Sequence, residues 1–109
     1  MSARIDAFLA MLEKGQDSAM LRFSLGNEYL ADDDAEAAAL HLRAAVAKDP
    51  QYSAAWKLLG KALTETGDVA GAAAAFADGI KVAEAKGDRQ AAKEMGVFLK
   101  RLQRGTGAS

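Results

Sequence analysis

The sequence predicts an all-α fold, about six helices paired as antiparallel hairpins and stacked side by side. Three observations predict it: a helix-forming composition with a single proline, breakers that divide the chain into six amphipathic stretches, and an internal repeat of 34 residues. Of the 109 residues, 26 are alanine and 6% are aromatic, with Pro50 alone as proline. Alanine is the best helix former and has almost no side chain, so helices built from it approach closely. β-Branched residues are scarce, which argues against a sheet. A chain of this length fits one domain, expected over 1–104.

The breakers are Gly15-Gln16-Asp17, Asp32-Asp33-Asp34, Asp49-Pro50, Gly67-Asp68 and Gly87-Asp88. They bound an N-terminal helix over 2–14, two helical pairs over 19–52 and 53–86, and a last helix over 88–104. Ile5, Phe8, Leu9 and Leu12 put one apolar face on the first helix, and Ala91, Met95, Phe98 and Leu102 do so on the last. Asp34, Asp68 and Asp88 stand where an N-cap accepts a backbone N–H from the following turn. Connections of two or three residues force successive helices to run antiparallel. The tail over 105–109 has nothing to bury and is expected to be disordered.

Shifted by 34, Leu25-Gly26 falls on Leu59-Gly60, Asp34 on Asp68, Ala38 on Ala72, Leu42 on Phe76 and Val46 on Ile80. The agreeing positions are small or apolar, as expected when each repeat is a hairpin whose contacts are remade against its neighbour. Trp56-x2-Leu59-Gly60 followed by Ala72-x3-Phe76 resembles the tetratricopeptide repeat (TPR) signature, and Leu25-Gly26-x2-Tyr29, Ala38-x3-Leu42 and Pro50 resemble a second copy. The resemblance covers about residues 19–86 and implies a short right-handed superhelix, with the flanking segments closing its ends.

Three departures from that signature stand out. Asp33 takes the place of a turn glycine, Arg22 of the first tryptophan and Glu84 of the closing proline, so the second repeat's last helix can run on to about Lys86. Gly79 sits inside that helix, at a cost of roughly 0.5–1 kcal/mol relative to alanine.

Little in the sequence points to chemistry. The one histidine, His41, has alanines at Ala37, Ala38, Ala44 and Ala45, so it lacks the partner that catalysis or metal binding requires and is expected to pack or face solvent. Gly60-Lys61-Ala62 lacks the earlier glycine and following hydroxyl of a phosphate loop. Asp32-Asp33-Asp34 lacks the alternating ligands, central glycine and distal glutamate of a calcium loop and suits turn and cap duty. No catalytic residue, metal or cofactor is expected, and no enzymatic activity.

The chain has no cysteine, which excludes a disulfide framework, and its net charge is −1. Residues 81–109 carry seven Lys/Arg against three acids, about +4, and residues 1–80 seven against twelve, about −5. No stretch approaches the ~20 apolar residues that a membrane span requires, and no charged region followed by an apolar run suggests a leader. The expected setting is the cytoplasm.

On a 100° wheel Trp56, Leu59, Ala62 and Leu63 cluster, with Lys57, Lys61 and Thr64 opposite. In the family that this sequence resembles, the latter face lines a concave groove that binds peptides. Its counterpart in the first repeat holds Phe23, Asn27 and Leu30, with Met20 adjacent. The expected site is therefore Met20, Phe23, Asn27, Leu30, Lys57, Lys61 and Thr64. It would suit a protein or peptide segment with a large apolar residue and an acidic one. The family's lysine–asparagine clamp for carboxylates is not supported: Asn27 matches, but Phe23 and Leu58 occupy two of its positions.

Two alternatives stand beside this reading. A terminal helix, or a second copy in a self-associating module, covers Phe23 and Leu30; a monomer is the expectation. Separately, the basic segment Lys86, Arg89, Lys93, Lys100, Arg101 and Arg104 meets an acidic partner or RNA, although nucleic acid is disfavoured by the lack of interleaved aromatics.

Overall fold

The computed structural model describes residues 2–105, and these form six helices: α1 (Ala3–Glu13), α2 (Ala19–Ala31), α3 (Ala35–Lys48), α4 (Ser53–Thr66), α5 (Val69–Ala85) and α6 (Arg89–Gly105). Each start has a local cause. Ser18 Oγ accepts from Leu21 N–H at 3.1 Å, and Asp34, Asp68 and Asp88 accept from Ala37, Gly71 and Ala91 at 3.1, 2.9 and 3.1 Å. α4 has no side-chain cap. Its entry is instead tied by the Trp56 indole, which donates to the Pro50 carbonyl at 2.8 Å, and by Lys86 Nζ, which donates to the Gln51 carbonyl at 2.9 Å.

The turns repeat as well. Asp33, at φ +60°, adopts the left-handed conformation that Gly67 adopts at +87° one repeat later. Aspartate tolerates that region better than most residues with a Cβ, so the substitution is accommodated.

Packing proceeds from neighbour to neighbour: α2 on α3, α3 on α4, α4 on α5, and α5 on α6, while among the described residues α1 packs on α2 alone. Contacts also join α2 to α4 and α4 to α6, so these helices form one layer and α3 and α5 the other. The result is an elongated helical-repeat superhelix of 48 × 29 × 18 Å. Its core is small side chains around a few large ones: Ala38, Ala45, Ala55, Ala62, Ala72 and Ala83 are buried beside Leu25, Leu42, Leu59 and Phe76.

Two glycines set how closely the helices approach. A Cβ built on Gly26 would overlap the Leu42 side chain, and one on Gly60 would overlap the Phe76 ring. These contacts are 34 residues apart on both sides, so each repeat closes its hairpin by seating a large side chain of its second helix on a bare stretch of its first. Gly79 follows the same logic: an added Cβ would meet Met95 of α6 and Trp56 of α4. Its helical cost is thus offset by close packing.

α6 carries a third version of the motif. Met95-Gly96 stands in α6 as Leu59-Gly60 stands in α4, with Met95 fully buried, but at a spacing of 36. The two extra residues arise because α5 has 17 residues where α3 has 14, against a connection that is one residue shorter. α6 continues through Gly105, which the sequence assigned to the disordered tail. Residues 106–109 of that expected tail lie outside the described residues.

Candidate partner-binding face

The face expected to meet a partner lies on α2 and α4, and the structure distributes its residues unevenly. Met20 is 71% exposed and Asn27 is exposed. Phe23 and Leu30 are half-buried against the core. Phe23 stacks on Tyr52 with centroids 4.9 Å apart and planes 28° apart, so its cover comes from the connection before α4. Thr64 is exposed, yet its hydroxyl donates to the Gly60 carbonyl at 2.7 Å within the same helix.

The two lysines have different surroundings. Lys57 Nζ is 3.1 Å from Glu94 Oε1 of α6, and that ammonium holds the Glu94 carboxyl below its usual range. Lys57 is thereby neutralised within the molecule. Lys61, one turn further, is exposed and lies over the Phe98 ring at 5.4 Å, within the range of a cation–π contact.

α6 brings residues to this face that the helical wheel of two repeats omitted. Phe98 stacks on Phe76 at 5.5 Å, and Arg101 lies 5.8 Å from the Phe98 centroid. Between α4, α5 and α6 opens a cavity of about 440 Å³ lined by Lys61, Thr64, Val69, Phe76, Phe98 and Leu102 among others. The signal that points to these residues is Met95-Gly96, which aligns α6 with α4 once a spacing of 36 is allowed.

A second polar cluster lies in the first repeat. Arg22 donates to Asp17 Oδ1 and Oδ2 at 2.8 and 2.9 Å and to His41 Nδ1 at 3.0 Å. Arginine has only donors, so Nδ1 must accept, and His41 is neutral with its proton on Nε2. His41 is 8% exposed, and its ring lies parallel to that of Tyr29, with centroids 5.5 Å apart. Burial and then the Arg22 charge push its pKa below the ordinary 6.5, while Asp17 opposes them. The guanidinium hydrogen bond holds Asp17 down at about 2, with Lys48 adding a cation at 3.5 Å. His41 is thus a packing residue, as expected, but with a charged partner that its own helix did not reveal.

Among the described residues, no group of three or more His, Cys, Asp or Glu side chains is placed to hold a metal ion, and no helix is long and apolar enough to cross a membrane.

These repeats match known proteins. A family profile described as Tetratricopeptide repeat matches residues 29–95, more than half of the chain. The chain is 54% identical over 100 residues to TPR repeat-containing protein PA0015 of Pseudomonas aeruginosa, covering 92% of this chain and 95% of that one. It belongs to the tetratricopeptide repeat family. Protein BPP2914 of Bordetella parapertussis, solved in solution, superimposes with a TM-score of 0.83 at 46% identity, covering 100% of this chain and 95% of that one. The Sgt2 TPR domain of Aspergillus fumigatus follows with a TM-score of 0.78 at 29% identity, over 94% of this chain and 66% of that one. TPR domains act generally as protein-interaction scaffolds, and this chain is a scaffold of that general kind.

Proposed function

We propose that this chain is a cytoplasmic, non-catalytic adaptor that captures a peptide or protein segment along the groove of α2, α4 and α6. The observation that carries the reading is mixed chemistry left accessible on consecutive helices. Met20 and Asn27 on α2 and Lys61 on α4 are exposed, whereas the opposite sides of those helices supply the buried core. An exposed apolar side chain on α2 and a cation on α4 that is unpaired among the described residues suit a segment that carries both a large apolar and an acidic residue. Lys57 contributes less than its place on the wheel suggests, because Glu94 already neutralises it.

The test begins with a displayed library of random peptides selected on the intact chain. Enriched peptides are then measured against Met20→Glu and Lys61→Glu, two exposed positions where substitution leaves the core untouched. The expected outcome is at least tenfold weaker binding by each variant, with unchanged helical content by circular dichroism. Peptides that bind both variants as tightly as the parent would remove the groove from consideration.

A further inference from the structure

We propose that the cavity between α4, α5 and α6 is an anchor pocket for a carboxylate-bearing apolar group, the apolar–acidic element of a bound peptide. The identity of the occupant as a peptide rests on the groove reading above. The pocket itself is argued from its walls and charges.

The walls are apolar. Phe76, 1% exposed, forms the floor from α5; Phe98 and Leu102 of α6 and Val69 at the start of α5 form the sides. The volume of about 440 Å³ lies in the range of small-ligand sites, and such sites pair apolar walls with a few convergent polar groups. Here the convergent groups are cations: Lys61 from α4 and Arg101 from α6 both lie within 6 Å of the Phe98 centroid.

The charges at the mouth do not cancel. Among the described residues neither Lys61 nor Arg101 stands in an ion pair, in contrast to Lys57 one turn away. Glu65 also lines the pocket, so the rim carries two cations against one acid. Two like charges brought from separate helices to one ring leave a site that favours an anion, and the Phe98 face partly satisfies both cations without neutralising either. A carboxylate set beside a large side chain fits: the side chain enters between Phe98 and Leu102 while the carboxylate meets Lys61 and Arg101, the latter able to bind both oxygens. Residues 106–109, Thr-Gly-Ala-Ser, include no large apolar side chain, which argues against that segment as the occupant.

The test uses 3-phenylpropionate and its neutral amide, 3-phenylpropanamide, titrated into the isotopically labelled full chain and followed by NMR. The expected result is saturable shifts centred on Val69, Phe98 and Leu102. Binding should be at least tenfold weaker for the amide, and equally weakened for the acid in K61Q/R101Q, whose helical content stays that of the parent. Equal binding of acid and amide, shifts centred on Phe23 and Tyr52, or an unaffected double variant would each overturn the pocket. A chain ending at Gly105 should bind as the full chain does; tenfold tighter binding would make residues 106–109 the occupant and overturn the proposal. The two readings also fail separately. Peptides held through Met20 with the pocket unperturbed remove the pocket and leave the groove, whereas acid-selective binding of the probe with no peptide selected removes the peptide as occupant.

Discussion

The two repeats close their hairpins in the same way and fill the space around the closure differently. Gly26 faces Leu42 as Gly60 faces Phe76. Yet where repeat two places Trp56, Leu63 and Ala75, repeat one places Arg22, Tyr29 and His41, at the same 34-residue offset. The first set is apolar, with the indole N–H satisfied by the Pro50 carbonyl; the second is a network that extends to Asp17 and Lys48. The common feature is therefore close approach, and the residues beside it can be polar provided that every polar atom finds a partner. Among the described residues no buried side-chain nitrogen or oxygen lacks one.

The largest expected effect comes from breaking the shared contact. Gly60→Ala should destabilise by roughly 2 kcal/mol net: a methyl on the Phe76 ring costs on the order of 1–3 kcal/mol, and helix propensity returns less than 1. Gly26→Ala should cost less, about 1 kcal/mol, because Leu42 has more rotamers than a ring through which to yield. Thermal unfolding of both variants decides the order. Equal or larger loss at Gly26 would mean that the first hairpin is the more rigidly packed of the two.

The next effect separates the polar cluster from the apolar one. Arg22→Trp alone installs the repeat-two residue against a His41 that still occupies the space, and it strips the buried Nδ1 of its donor, so a loss of about 1–3 kcal/mol is expected. Adding His41→Ala completes the exchange and should restore much of that loss, with a coupling energy on the order of 1 kcal/mol in the double-mutant cycle. Additive single effects would show that the two repeats are not interchangeable at this position.

The same cluster makes the first repeat responsive to pH through His41, where the second repeat has Ala75. The folded state lowers the His41 pKa, so on acidification the unfolded chain takes up this proton first, near 6.5, and stability falls until the folded form is protonated too. A separate loss, from Asp17, occurs in more acidic solution, between 3.8 and about 2. Urea midpoints from pH 7.5 down to 5 should therefore decline for the parent chain, and the decline should be shallower in His41→Ala. An unchanged slope would assign the pH response elsewhere.

The fold was legible because its determinants are local and repeated: caps at Asp34, Asp68 and Asp88, and glycine opposite a large side chain every 34 residues. The candidate site was legible only where it depends on position along one helix. A wheel places Lys57 and Lys61 on the same side, but not that Glu94 from α6 neutralises one while Phe98 and Arg101 border the other. That difference arises from the packing of α4 against α6, whose register was obscured by the longer α5. Arg22 was recognisable as a departure from the family pattern, and His41 as the only histidine, but their contact joins residues 19 apart on different helices. No periodicity within one helix could pair them.

The smallest effect is also the one of opposite sign. Gly96 occupies in α6 the place of Gly26 and Gly60, but a Cβ added there meets nothing within 4 Å, because among the described residues no further helix seats a side chain on it. Glycine at this position retains its conformational disadvantage without the packing that offsets it in the two complete repeats. Gly96→Ala should accordingly raise stability by about 0.5–1 kcal/mol, a few degrees in the unfolding midpoint, where the same change at Gly60 lowers it. A loss at Gly96 comparable to that at Gly60 would mean that this face of α6 is covered in solution, either by residues 106–109 or by a second copy of the chain. Sedimentation at two concentrations, together with the chain ending at Gly105, would tell those two apart.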